Sequence, residues 1–294
     1  MLELLFQQIA NGVVLGSTYT LVAVGLTLIY GILEIVNFAH GEFYMVGAFI
    51  AFLAVRRAGV PYPAAIVVAA VGSALFGYAV ERLLVRPLVR RAAPPVNGVL
   101  LTVSLSTFLV SGFAWIFGAD LQQIPSPFVS RVVRVAGVFL TVQRLVVLVV
   151  AVLLMALLGY VVKYTSLGRQ MRATAQNIEA ARIVGVPVDR VFASTFMIGA
   201  GLAGVSGALV GAMFVVEPTM GLAVAVKAFV VVIVGGMGSI AGSIVAGFGL
   251  ALVETLAGAL LPAEFIDIVA FSVMIVILLT RPAGLFGAKA VRRA

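Results

Sequence analysis

Residues 145–162 carry no charged side chain, residues 191–216 carry none for 26 positions, and residues 4–33 form an uncharged run of 30. An α-helix needs about 20 apolar residues to cross a hydrocarbon core of roughly 30 Å. Runs of this kind recur along the chain, and they constrain its fold more than any other feature. In hydrocarbon each backbone N–H and C=O must be satisfied internally, so only helices or a closed barrel can span. A barrel would show alternating segments of about 10 residues. These runs are longer and uncharged throughout. Composition agrees: 10% of residues are charged, against about 25% in a soluble domain. The sequence therefore predicts an all-α, polytopic transmembrane helical bundle, one domain over 1–294 with no room for a soluble domain of ordinary size. There is no cysteine, which removes disulfide and thiolate chemistry. The N-terminal stretch lacks a basic n-region and an evident small-residue cleavage site, so it reads as the start of a retained span rather than a signal peptide.

Taken in order, the expected spans lie within 4–33, then at about 43–55, 64–80, 96–117, 145–162 and 191–215, from near 222, and at 243–261 and 264–280. That gives nine crossings, or eight if the glycine-interrupted segment 222–242 is re-entrant. The first run is too long for one perpendicular helix, so it tilts or contains a break. Residues 118–144, with Pro125 and Pro127, read as an ordered loop holding a short helix or a hairpin.

The net charge of +8 could suggest nucleic acid, but the charges sit between the spans. Residues 81–91 hold four Lys/Arg, 163–190 five and 281–294 four, which is 13 of the 19. Nine alternating spans put these three groups on one side, which is cytoplasmic by the positive-inside rule, with the N-terminus outside and the C-terminus inside. Membrane lipid is then a partner and nucleic acid is not. Arg131, Arg134 and Arg144 fall on the outer side as an exception to the rule.

Residues 163–190 form the longest polar interruption. Within them, residues 177–185 read as a short helix: Glu179, Ala180 and Ala181 favour it, Gly185 suits its C-terminal cap, and Pro187 prevents continuation. A helix of about 9 residues is marginal alone in water. It is either a helical turn in a cytoplasmic loop or a surface that docks on another protein.

Glu179-Ala180-Ala181, with Gly185 four residues beyond, resembles the EAA loop of bacterial ABC importer permeases. Gly25-Leu-Thr-Leu-Ile-Tyr-Gly31, Asn37-Phe-Ala-His-Gly-Glu42, Gly235-Gly-Met-Gly-Ser239 and Arg281-Pro-Ala-Gly-Leu-Phe286 resemble the high-affinity branched-chain amino acid permeases, over about residues 8–287. The chain is most similar to the first of the two permease subunits in such systems; permeases for urea and short amides share much of the pattern. The resemblance implies an alternating-access permease with 163–190 as cytoplasmic coupling loop, engaged by two ATP-binding subunits through Glu179, Ala180, Ala181 and Gly185, with Arg172 and Arg182 as flanking charges. It also implies a second homologous permease and an extracytoplasmic solute-binding protein, all at a bacterial inner membrane. No G-x-x-x-x-G-K-[ST] loop occurs, so ATP belongs on the partner subunits and this chain carries no cofactor.

Asn37, His40 and Glu42 lie where the first span hands over to the second. Polar groups at membrane depth are costly and face a cavity or a helix contact. Either an unwound turn here lines the translocation path, as broken transporter helices do, or His40 caps a backbone carbonyl in a cytoplasmic-side turn. Gly235, Gly236 and Gly238 could form a second break facing the first, or a close-packing point. Gly199, Ala203, Gly207 and Gly211 recur every four residues, the small-xxx-small pattern of packed membrane helices. Lys227 and Glu254 are intramembrane ionisable residues expected to pair with a partner subunit or snorkel to an interface. An ion-coupled secondary transporter is the main rival, with Glu34, Glu42 and Glu254 as carriers. A metal hydrolase is disfavoured by a lone histidine, and a serine hydrolase by the lack of G-x-S-x-G.

Overall fold

The computed structural model describes residues 2–91, 94–118, 121–135 and 137–287. The basic tail residues Lys289, Arg292 and Arg293 lie outside them. The helices run α1 (Leu2–Leu33), α2 (His40–Arg56), α3 (Tyr62–Val80), a π-type turn (Glu81–Val85) leading into α4 (Arg86–Arg90), and α5 (Pro95–Phe117). A two-stranded antiparallel hairpin, β1 (Val132–Val135) with β2 (Val138–Thr141), precedes α6 (Val142–Tyr164). Then come α7 (Ser166–Gln176), α8 (Ile178–Ile183), α9 (Val188–Val210), α10 (Met220–Gly235), α11 (Ile240–Gly258), a 3₁₀ turn and α12 (Ile266–Thr280). Among the described residues seven helices are long and apolar enough to cross a membrane. Two more, α2 and α10, have 17 and 16 residues, about 26 and 24 Å at 1.5 Å per residue. They fall short of the roughly 30 Å core.

The first run is one unbroken helix of 32 residues, about 48 Å long. Its glycines do not break it, because they are points of close approach, Gly12 and Gly16 to α11, Gly25 to α9 and Gly31 to Gly238. A Cβ on Gly12 would meet Leu252 and Thr255, and one on Gly16 would meet Phe248. Farther along the same antiparallel seam, Thr27 Oγ1 and Ser243 Oγ lie 2.5 Å apart. The central helix is α9, packed on α1, α2 and α3. The four-residue spacing of small side chains explains this: Gly199 meets Gly25 and Gly207 meets the Tyr44 carbonyl. Gly204, which that register does not include, touches the Gly47 backbone and Ser73. In contrast α5, α6 and α12 expose most of their apolar surface at the periphery.

The bundle has two distinct ends. At the hairpin end, the Gln7 side chain pairs with the Phe139 backbone in both directions at 3.0 Å. Gln122 and Val216 form an antiparallel bridge there, and Gln143 donates to the Tyr62 hydroxyl (2.6 Å) and to the Leu209 carbonyl (3.0 Å). The other end carries α4, α7 and α8, and gathers the basic segments 81–91 and 163–190. Arg86 is paired with Glu81 (2.6 Å) and Arg90 with Asp189, which ties α4 to the start of α9. Among the described residues of 118–141, the chain forms a hairpin after an extended approach, and α6 begins at Val142.

Candidate functional site

Glu34, with φ of 55°, ends α1, and residues 35–39 do not continue away from it. They turn back along α1, because the His40 Nε2 reaches the Val22 carbonyl (3.1 Å), eleven residues before the helix end. Asn37 builds the turn: its Oδ1 accepts from the Ala39 N–H (3.1 Å) and its carbonyl accepts from the His40 N–H (3.2 Å). Thr102 on α5 holds the segment by accepting from the Phe38 N–H and donating to the Val36 carbonyl. Helix α2 therefore starts inside the bundle. Glu42, 1% exposed, lies in its first turn and accepts from Ser106 Oγ at 2.9 Å. Ser106 sits halfway along α5, which places the carboxylate at mid-depth.

Helix α10 also starts at this point. A Cβ on Gly41 would come within 2.2 Å of the Gly221 carbonyl, and one on Gly221 within 2.6 Å of Glu42 Oε2. The N-termini of α2 and α10 thus meet at Glu42 and the two helices leave in opposite directions. One ends at the hairpin end and the other beside Gly31 and α7. Two helix N-termini concentrate partial positive charge on one carboxylate. Short helices with non-helical approaches at mid-depth are the arrangement expected where a transporter exposes backbone to a path. The polar accounting is uneven here. Among the described residues, five buried side-chain atoms have no partner, and three of them are Asn37 Nδ2, His40 Nδ1 and Glu42 Oε2. Buried polar atoms are normally paired, so their clustering within six residues marks this junction.

The glycine cluster lies elsewhere. Gly235, Gly236 and Gly238 sit at the far end of α10, where Gly236 (φ 101°) and Gly238 (φ 86°) turn the chain into α11. Gly235 packs on Gly242, Gly236 on Gly284 and Gly287, and Gly238 on Gly31. The Leu285 and Phe286 N–H groups donate to the Val234 and Gly235 carbonyls. This is a close-packed knot that anchors the segment after α12. It does not face the Asn37–Glu42 turn, so the structure separates the two groups of path candidates by the length of α10.

In the basic segment, Asn177 caps α8 by accepting the Ala180 N–H (2.9 Å). Gly185, at φ 84°, closes it, with Val186 N–H on the Ala181 carbonyl. A left-handed residue here is easy only for glycine. Ala181 is buried and anchors the short helix, while Glu179, Ala180, Arg182 and Gly185 are exposed. Arg172 stands apart from that face, since its guanidinium donates to the Val162 carbonyl at the end of α6. The tip of α8 bears Ile183 and Val184, 87% and 76% exposed. Sequence reasoning named neither, although an apolar pair just ahead of a capping glycine was a readable signal. Ser106 and Gly221, the partners of Glu42, had no such signal, because many serines and glycines in this chain sit in equivalent apolar surroundings.

Lys227 and Glu254 pair with each other within the chain, which corrects the expectation that each pairs outside it or snorkels alone. Lys227 Nζ lies 2.6 Å from Glu254 Oε1 and 2.6 Å from Asp267 Oδ1, and Tyr19 donates to Glu254 Oε2 at 2.9 Å. The reason is geometric: α10, α11 and α12 pack on one another closely enough for one lysine to reach both acids.

A family model described as the permease component of branched-chain amino acid transport systems matches residues 8–278. The high-affinity branched-chain amino acid transport system permease protein LivH of Escherichia coli K12 is 36% identical over 96% of this chain and 95% of its own. The corresponding BraD protein of Pseudomonas aeruginosa is 34% identical over the same shares. The fructose import permease protein FrcC of Rhizobium meliloti is 30% identical over 80% of this chain and 63% of its own. No solved structure matches the chain.

Proposed function

The chain belongs to the family of permease components of branched-chain amino acid transport systems, and from that premise we propose that it is the membrane-spanning subunit of an ATP-driven importer of leucine, isoleucine and valine. Its relatives are transport permeases, not enzymes. In this reading the α8 end is cytoplasmic, because it collects the basic loops, and the hairpin end faces outward in the bacterial inner membrane. Two ATP-binding subunits engage the cytoplasmic end, a second homologous permease completes the pathway, and a solute-binding protein delivers substrate to the hairpin end. ATP is held and hydrolysed on the partners.

The observation that carries the reading is α8 itself. It is a six-residue helix, too short to persist alone in water, yet it is capped at both ends and presents an apolar tip outward. Exposed apolar side chains on an ordered short element are what a docking contact needs. Val186 and Pro187 join it directly to α9, the helix that touches Gly25 beside His40. A push on α8 is thereby delivered to the helix bounding the Glu42 junction, where α2 and α10 could part to open the path.

The test is a reconstituted complex in proteoliposomes. Replacing both Ile183 and Val184 by Asp touches only exposed positions, so insertion and melting temperature should hold. Association with the ATP-binding subunits should weaken by about a hundredfold, since each desolvated apolar contact at an interface centre is worth on the order of 1–2 kcal/mol. ATP-dependent leucine uptake should fall with it. Uptake that is driven by a proton gradient and indifferent to these substitutions would remove the proposal.

A further inference from the structure

At the hairpin end α1, α6, α9 and α11 enclose a cavity of about 210 Å³ that none of the residues above account for. Its rim is polar, with Gln8, Asn11 and Arg144, and its inner wall is apolar, with Val14, Val210 and Met213. Arg144 belongs to the group of basic residues that breaks the positive-inside pattern. Its side chain gives one N–H to Asn11 Oδ1, and no described carboxylate lies within 4 Å of it. A guanidinium has five N–H donors in a fork that fits a carboxylate, so most of its donors remain open. On the wall, Thr18 and Thr255 both donate their hydroxyls to their own helix, Thr18 to the Leu15 carbonyl (2.7 Å) and Thr255 to the Ala251 carbonyl (2.8 Å). Their oxygens are therefore left as acceptors.

We propose that this cavity is a binding subsite for a free α-amino acid with an aliphatic side chain, occupied at the outer face before translocation. The carboxylate pairs with Arg144, the ammonium is taken by the Thr18 and Thr255 oxygens, and the side chain lies on Val14 and Met213. Such a site has the general form of a small-molecule pocket: an apolar wall with a few convergent polar groups that fix orientation. Its place at the outward end rests on the importer reading above. The subsite accounts for a cation kept on the wrong side of the membrane by the charge rule. It also lies beside the start of the 211–219 segment, through Met213 and Phe214, the same segment that leads to α10 and Glu42.

The chain has no cysteine, so a single thiol can report occupancy. Phe214→Cys and, in parallel, Met213→Cys are made in the full chain in nanodiscs, and maleimide labelling is followed without nucleotide or partner subunits. L-Leucine should slow labelling, whereas leucinamide, which lacks the carboxylate, should not. Adding Arg144→Gln should raise the leucine concentration for half-protection by about tenfold, the loss of a charge-assisted bidentate pair, and Arg144→Lys should recover part of it. Protection equal for leucine and leucinamide, or unchanged by Arg144→Gln, would overturn the proposal. So would protection that depends only on phosphatidylglycerol in the disc, which would make Arg144 a headgroup contact. Labelling reads the cavity without transport, so failure here is distinct from absence of ATP-dependent uptake.

Discussion

Two buried glutamates show how differently this bundle treats charge. Glu254, 3% exposed, is fully engaged: Lys227 meets one oxygen and Tyr19 the other, and Asp267 shares the lysine at the surface. Glu42, 1% exposed, has one neutral hydroxyl donor and an oxygen with no partner, between the N-termini of two helices. Burying a charge without a counterion is expensive. The first glutamate is held as a structural pair joining four helices. The second is left with an unpaired oxygen, and it sits where the N-termini of α2 and α10 meet. The difference separates a clamp from a candidate site.

The largest effect should come from breaking the clamp. Lys227→Met leaves Glu254 buried without a cation, and loss of one partner of a buried pair costs about 3–5 kcal/mol. Lys227 is 14% exposed, so the lower end applies. Thermal melting in detergent should drop sharply, and the double variant Lys227→Met, Glu254→Met should regain most of the loss. If the double variant melts no higher than the single, the two side chains are not acting as a pair. Tyr19→Phe should cost less, about 2 kcal/mol, the worth of one hydrogen bond to a charged group, and its effect should vanish once Glu254 is replaced by Met.

Much of this was legible in the chain. The apolar runs forecast the helices because hydrocarbon forces backbone polarity into helices, and that constraint acts locally. The C-terminal cap at Gly185 was legible for the same reason, because it acts on its immediate neighbours, as Asn177 does at the other end of α8. What could not be read were the long-range meetings. Lys227 and Glu254 are 27 residues apart and Tyr19 is 235 from Glu254, and hydropathy holds no distance information between helices. The location of a second break was hard to read for a related reason. Glycine is ambiguous between a turn and a close approach, so the conspicuous cluster at 235–238 turned out to be a packed corner. The second interrupted approach, at 211–219, leads to Gly221 and the Glu42 junction.

The smallest change in stability is expected at Glu42 itself, which is why it is the sharpest test of the contrast. Glu42→Gln keeps the side-chain shape and the oxygen that accepts from Ser106. It removes a negative charge from the first turn of α2, worth about 0.3–1 kcal/mol against the helix dipole. It also removes a buried charge that no described cation offsets, which acts in the opposite direction. Melting should therefore shift by less than about 1 kcal/mol in either sense, far below Lys227→Met. If the junction is part of the path, ATP-driven leucine uptake should nevertheless fall by about tenfold or more, the equivalent of about 1.4 kcal/mol lost on the transported species, with binding to the ATP-bearing subunits unchanged. Ser106→Ala, which removes the one donor to Glu42, should reduce uptake in the same direction by a smaller factor. Normal uptake in both variants, with melting unaltered, would show that the unpaired carboxylate is tolerated rather than used, and the two glutamates would then differ only in how well they are satisfied.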